Sequence, residues 1–344
     1  MYRNRKFQLI TCISILAAII FFPFHLFAQE SKEVVEQESG YYYTVQKGDT
    51  LWDLSERFAD SPWLWPDLWS YNDQISNPHW IYPGERIRLF YRKGSGSFVI
   101  KTVQGTQTTK EATLIEPPYY YYSLINSIGF IKKEPATPLG IIFKAQDDKK
   151  MISQGDLVYI RQKGDTPLIL GDKYTVYRTL KPIHDQKSEA LIGIQHYLTG
   201  TVEITNIEPG FALARVVQSF RDLAVNDLLI PYKKRSPKIP LTESKKGLNG
   251  KIVKSEDQRS IIGSNIVAFI DKGSKDEVKL GQLYDIYYQA KHQLDQDTRK
   301  DVLLTPVVYG TLLVLHAEQT TSTVLITQSD QSISPGATFG SPME

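Results

Sequence analysis

The chain has 344 residues, a length sufficient for two or three domains. Of these residues, 41% are hydrophobic and 23% are charged, a composition typical of globular proteins. The formal net charge is +2, and three of the positive charges (Arg3, Arg5 and Lys6) lie in the first six residues. The rest of the chain is close to neutral, so its net charge does not favour binding to nucleic acid or to an anionic membrane.

Residues 1–28 have the pattern of a signal peptide. A basic start is followed by the apolar run 9–27, and Ala28 is a small residue at a cleavage point before Gln29. An uncleaved membrane anchor is the alternative, because the run approaches the ~20 residues that span a bilayer. Pro23 and His25 favour cleavage, so we expect an exported, periplasmic protein that begins near Gln29.

Cys12 is the only cysteine and lies inside this segment. A lipoprotein anchored there is disfavoured, because Thr11 is a poor residue before a lipidated cysteine. The mature chain would therefore contain no disulfide, no thiolate metal site and no cysteine nucleophile.

A compact segment, residues 42–91, follows a polar stretch at 29–41 that we interpret as a linker. It begins with a strand pattern and turns at Lys47-Gly48-Asp49. Thr50 and Asp53 then form a capping-box pattern before an amphipathic helix. A second short helix begins near Pro62, Pro83-Gly84 suits a type II turn, and residues 86–91 supply a closing strand. The predicted order is strand, helix, helix, strand.

The segment contains the motifs Gly48-Asp49-Thr50, Leu51-Trp52, Asn72 and Ile81-Tyr82-Pro83-Gly84. In this order they resemble the motifs of the LysM domain, a βααβ module that binds peptidoglycan and other polymers of N-acetylglucosamine. The resemblance implies a shallow sugar groove between the loops 48–51 and 77–82. The glycan-binding residues it implies are Gly48, Asp49, Thr50, Leu51, Asn77, Pro78, Trp80, Ile81 and Tyr82.

Several of these residues also have a purely structural interpretation. Asp49 and Thr50 can cap the first helix, and Asn77 can form an Asx-turn. Trp52 and Trp69 are expected in the core, whereas Trp80 is the best candidate for stacking on a sugar.

Beyond a Gly/Ser linker at 92–97, which we expect to let the two halves reorient, short runs rich in Val, Ile, Thr and Tyr predict a mainly β region without a long helix. We divide it into β-rich domains at 98–232 and 247–344, joined by a linker at 233–246. Residues 200–219 match residues 310–329 without a gap, and 155–160 match 281–286, which predicts a duplicated region. The expected fold class is therefore α+β, a small LysM domain followed by a mainly β, duplicated region.

The runs 61–69 and 75–84, with one LysM module before a long β-rich region, are similar to the branch of LysM proteins associated with the secretins of type IV pili. The resemblance implies a non-catalytic protein that anchors an envelope partner, with an outer-membrane secretin as the candidate, to peptidoglycan.

The sequence shows no HxH, HExxH or Gly-x-Ser-x-Gly spacing, so we predict no catalytic residues, metal or cofactor. A wall-remodelling hydrolase with an unrecognised active site in the β-rich region is the alternative, and a wall protein without a fixed partner is a third possibility.

Overall fold

A computed structural model describes residues 38–90, 116–147, 149–185, 187–293 and 301–342. The predicted signal peptide, most of the 29–41 linker and the 92–97 linker lie outside these residues. Across the described ranges, no helix combines the length and apolar character needed to cross a membrane. The described residues from Glu38 onward form one compact unit.

The LysM segment has the predicted element order. Its elements are β1 (Gly40–Thr44), α1 (Leu51–Ala59), a 3-10 turn (Pro62–Leu64), α2 (Trp65–Ser70) and β2 (Arg86–Leu89). These are the two α-helices among the described residues, and the structure is otherwise mostly β. The buried Asn72 joins α2 to β2, because its amide donates to the carbonyls of Leu68 (2.7 Å) and Arg88 (2.9 Å) and accepts from the Arg88 N–H (2.7 Å). This motif residue therefore maintains the fold.

Two strands from outside the LysM segment extend its sheet. They are β3 (Tyr119–Tyr121) and β12 (Lys238–Pro240), and the order is β12-β3-β1-β2. Tyr41 of β1 lies opposite Tyr120 of β3, with the two rings edge to face at 4.8 Å. This sheet corrects the bounds of two expected linkers. Gly40 and Tyr41, at the end of the 29–41 linker, belong to β1, and the 233–246 linker contains β12. Polar and proline-rich composition does not prevent a short strand from pairing at a sheet edge.

The next strands form a closed path. Its order is β10-β6-β5-β11-β7-β9, and β9 pairs again with β10. These strands are β5 (Gly140–Ala145), β6 (Leu157–Gln162), β7 (Lys173–Thr179), β9 (Leu191–Glu208), β10 (Phe211–Ser219) and β11 (Leu228–Pro231). The short strands β4 (Phe130–Lys132) and β8 (Ile183–His184) pair with the first part of β9. We call this the first barrel.

A second closed barrel has the order β13-β14-β19-β18-β15-β20. Its strands are β13 (Asn249–Ser255), β14 (Val267–Ile270), β15 (Leu283–Tyr288), β18 (Val307–Ala317), β19 (Ser322–Ser329) and β20 (Thr338–Gly340). Between β15 and β18, the strands β16 (Lys291–Gln293) and β17 (Asp301–Leu303) pair as a separate hairpin.

The two barrels have the same register when residue numbers are shifted by 110. Gly200 lies opposite Ser219 in the first barrel, and Gly310 lies opposite Ser329 in the second. The irregularity in β5 between Ile142 and Lys144 recurs in β13 between Ile252 and Lys254.

The turns contradict the match of residues 155–160 with residues 281–286. Gly155 and Gly281 lie at different corners of their two barrels. Gly155 (φ 93°) donates its N–H to the Val216 carbonyl, and the equivalent Asn265 (φ 63°) donates to Ile326. Gly281 (φ 85°) instead corresponds to Gly171 (φ 81°). The mismatch arises because each barrel repeats the same kind of turn, a left-handed residue followed by a strand, at more than one corner.

The hydrophobic cores show how the parts are connected. Each barrel encloses its own cluster, around Val158 and Val202 in the first and around Val314 and Ile326 in the second. A third cluster contains Leu54 and Ile87 of the LysM segment together with Tyr120 of β3 and Leu313 of the second barrel. The LysM segment thus packs on the second barrel through a shared core, so the expected freedom of the two halves to reorient is not what the structure shows.

Candidate functional site

Two loops lie together at one end of the LysM sheet. The Val45 N–H donates to the Glu85 carbonyl (2.8 Å), and the Gly84 N–H donates to the Val45 carbonyl (2.9 Å). These bonds continue the pairing of β1 with β2, in which Thr44 lies opposite Arg86. The loop after β1 and the loop before β2 therefore lie at the same end of the sheet, and these are the loops between which the resemblance implies a sugar groove.

Asp49 holds the first loop in shape. Its carboxylate accepts hydrogen bonds from the Gln46 N–H (2.7 Å) and the Tyr43 hydroxyl (2.9 Å), and it lies 3.8 Å from the Arg57 guanidinium. Burial, and then the hydrogen bond to Asp49, raise the pKa of Tyr43 to about 12. With its oxygens engaged inside the protein, Asp49 has a structural role whether or not sugar is bound.

Thr50 and Leu51 also serve the fold. The Thr50 hydroxyl accepts from the Asp53 N–H (3.1 Å) and donates to the Asp53 carboxylate (2.7 Å), which caps α1. Leu51 is 2% exposed and belongs to the shared core. Of these two predicted site residues, Leu51 could meet a ligand only through its backbone. Gly48 is exposed at the tip of the loop, with φ 96°, a conformation that favours glycine.

The second loop presents aromatic side chains to solvent. Asn77 accepts from the His79 N–H (3.0 Å), which forms the Asx-turn, and the Trp80 N–H donates to the Asn77 carbonyl (3.0 Å). Trp80 is 67% exposed and Tyr82 is 58% exposed. Ile81, between them, is half-buried against the core, and Pro78 is also half-buried.

This arrangement suits a neutral, flat ligand. Ile81 packs inward and fixes the loop, while the rings on either side of it face solvent. Exposed indole and phenol rings offer an apolar face to a pyranose, and nearby backbone groups can pair with its polar substituents. The described residues contain no group of three or more His, Cys, Asp or Glu that could hold a metal ion.

Trp52 was expected in the core, and this expectation is wrong. Trp52 is partly exposed and meets the more exposed Trp63 edge to face at 4.7 Å. The helix period explains the error, because the buried positions of α1 are 51, 54, 55 and 59, and position 52 lies off that face. Trp69 does pack against the core and donates its indole N–H to the Ile75 carbonyl (2.6 Å).

Comparison with known proteins agrees with this geometry. Residues 43–90 match the LysM domain family. An uncharacterised protein of Bacillus subtilis strain 168, YqbP, is 39% identical over 57 residues, which cover 14% of this chain and 26% of the relative. Both matches concern a small part of the chain. Residues 43–90 therefore form a LysM domain, a non-catalytic module of the class that binds glycans of the peptidoglycan and chitin type.

Proposed function

We propose that this protein binds the glycan strands of peptidoglycan through the loops 48–51 and 77–82 of its LysM domain. Sugar stacks on Trp80, with Tyr82 beside it, and backbone groups of both loops pair with the acetamido substituents. The observation that carries the proposal is the exposure of Trp80 and Tyr82 on a loop fixed by the Asn77 turn and by Ile81. Because the contacts are few, a single domain binds weakly.

Co-sedimentation of the full chain with purified peptidoglycan tests this proposal. Trp80→Ala should reduce the bound fraction about tenfold or more, as expected when a stacking aromatic is lost. Tyr71→Ala is the matched control. Tyr71 is also largely exposed, at 57%, but stacks at 5.4 Å on Phe90, at the opposite end of the sheet from the two loops. Equal retention of both variants on the wall would refute the assignment of the groove.

For the remainder of the chain, we infer that the two barrels are copies of one ancestral unit. The shared register at an offset of 110, the matching strand irregularities and the matching left-handed turns support this inference.

The barrels, in this proposal, hold an envelope partner while the LysM domain holds the wall. The partner proposed is an outer-membrane secretin, on the resemblance in layout to secretin-associated LysM proteins. Cross-linking of the full chain in envelopes of its native host, with the secretin identified by mass spectrometry, tests this part. Recovery of cross-links to peptidoglycan alone would leave a wall protein without a fixed partner.

A periplasmic location and the absence of catalysis complete the proposal. The protein should fractionate with the envelope and begin near Gln29, whereas an intact mass that retains Met1 would indicate an uncleaved anchor. It should leave peptidoglycan intact in a zymogram, and a cleared band would favour the hydrolase.

A further inference from the structure

A cavity of about 910 Å³ lies between the two barrels and outside the LysM loops. Its walls come from the first barrel (Leu198 and Ile230), the second barrel (residues 315–318), the strand β4 and the connecting segment 232–236. The volume is within the ~300–1,000 Å³ range of sites for small molecules.

The charged side chains that line the cavity are mostly positive. The lining contains six cationic side chains and one carboxylate, Glu318; the cations are Lys132, Lys233, Lys234, Arg235, Lys238 and Lys279. The whole chain has a net charge of only +2, so this excess of positive charge is a local property of the cavity. A concentration of like charges is unfavourable without a counter-ion and attracts anions.

Three of the cations already have partners. Lys132 lies 3.7 Å from Glu318, Lys238 lies 2.7 Å from Glu116, and Arg235 donates to the carbonyl of Ile128 (3.1 Å). Lys233, Lys234 and Lys279 are exposed and, among the described residues, have no carboxylate within ion-pair distance, and the first two are neighbours in the chain. These adjacent lysines are the groups best placed to pair with a bound anion.

The rest of the lining is apolar. Phe130, Leu198, Ile230 and Leu315 come from different elements and line the cavity, and the lining residue Leu280 is 46% exposed. A purely ionic ligand, such as inorganic phosphate, would leave the exposed side chain of Leu280 in contact with water. Burial of apolar surface contributes roughly 25 cal/mol per Å², so the apolar wall favours a ligand with an apolar body.

We propose that this cavity is a binding site for an amphiphilic anion, a molecule that joins a carboxylate, phosphate or sulfonate group to an apolar body. The anionic group pairs with Lys233 and Lys234, and the apolar body lies against Leu280 and the walls below it. Such a ligand could be a soluble metabolite or a lipid taken from a bilayer, since both present the same chemistry.

Fluorescence titration of the full chain with anilinonaphthalene sulfonate tests the role of charge. We expect saturable binding at one site, weakened by added salt. Lys233→Glu with Lys234→Glu should weaken it by about tenfold or more, since charge-assisted pairing is lost and replaced by repulsion. Lys163→Glu with Lys181→Glu, which changes the charge equally at exposed lysines outside the cavity, should leave the affinity unchanged. Equal affinities, or equal losses, in the two double variants would overturn the proposal.

Two further arms test the apolar body and the source of the ligand. Leu280→Ser should weaken binding, whereas Leu191→Ser, at a similarly exposed leucine outside the cavity, should not. Inorganic phosphate should fail to displace the dye at concentrations where dodecyl phosphate displaces it. Competition by phosphatidylglycerol vesicles as well would identify a lipid, and competition by dodecyl phosphate alone would identify a soluble amphiphile. Displacement by inorganic phosphate as strong as that by dodecyl phosphate would refute the amphiphile.

Discussion

At the scale of single residues, the LysM motif contains positions that build the surface and positions that could touch a ligand. Asp49, Thr50 and Asn72 satisfy backbone N–H or carbonyl groups, and Leu51 fills the core. Trp80 and Tyr82 are left exposed. The motif thus sets the position of two aromatic rings mainly through residues that are themselves engaged in the fold.

Asp49 provides the first residue-scale prediction. Asp49→Ala should lower the free energy of unfolding by about 1–3 kcal/mol, because the Gln46 N–H and the Tyr43 hydroxyl lose their acceptor in a partly buried site. All five tryptophans lie between residues 52 and 80, so tryptophan fluorescence in a denaturant titration reports on the LysM domain. Asp53→Ala, at an exposed carboxylate in the first turn of α1, should have a smaller effect. A smaller loss for Asp49→Ala than for Asp53→Ala would contradict the structural role of Asp49.

The residue roles could be predicted in part from the sequence. The capping function of Thr50 and the Asx-turn at Asn77 follow from local patterns, and the structure confirms both. A helical wheel of α1 would also have placed Trp52 away from the buried face of the helix. The contact of Trp52 with Trp63 could not be predicted in this way, since it depends on how the 3-10 turn folds back on α1.

At the scale of elements, the strands were predictable and several of their partners were not. Alternating Val, Ile, Thr and Tyr residues marked β6, β7, β9 and β10. Nothing local indicates that β3 pairs with β1 or that β12 pairs with β3, because these contacts join residues far apart in the chain. The linker composition at 233–246 even pointed away from a strand.

Tyr120 tests the importance of this added strand. Its ring is buried in the core shared by the LysM domain and the second barrel. Tyr120→Ala should destabilise the protein by about 3–5 kcal/mol, as for other buried aromatics. Although residue 120 lies outside the LysM segment, the tryptophan transition should shift to lower denaturant. Tyr121→Ala, at the half-buried neighbour that lies outside this core, is the control. An unchanged tryptophan transition in Tyr120→Ala would mean that β3 does not support the LysM domain.

At the scale of the whole molecule, the shared core makes stability sensitive to alkaline pH. Burial raises the pKa of Tyr120 and Tyr122 to about 12, from an ordinary value of 10.0. Because the folded state favours the neutral phenol, this contribution to stability is complete below pH 10 and is lost as the pH rises towards about 12. Tyr120→Phe with Tyr122→Phe should keep the packing and flatten the dependence of the unfolding free energy on pH in that window. The same steep decline in the double variant would assign alkaline sensitivity to other groups.

The LysM domain and the barrels are joined by a shared sheet and a shared core as well as by the chain between them. Sequence composition indicated a flexible connection at 92–97, yet the described residues on either side of it belong to one compact unit in which β1 pairs with β3. A protease site inserted at 92–97 should therefore be cleavable without separating the LysM domain from the barrels. The two fragments should elute together in size-exclusion chromatography under native conditions, because sheet hydrogen bonds and the shared core replace the covalent link.

The same cleaved chain distinguishes a packed interface from a tether. Tyr120→Ala should let the fragments separate, since it removes the ring that meets Tyr41 across the interface, and Tyr121→Ala should not. Immediate separation of the unsubstituted fragments would show that the 92–97 segment alone holds the LysM domain. If the fragments stay together, the LysM domain and the barrels form one body, and under the proposed function a force on the barrels reaches the glycan through β3 and the shared core.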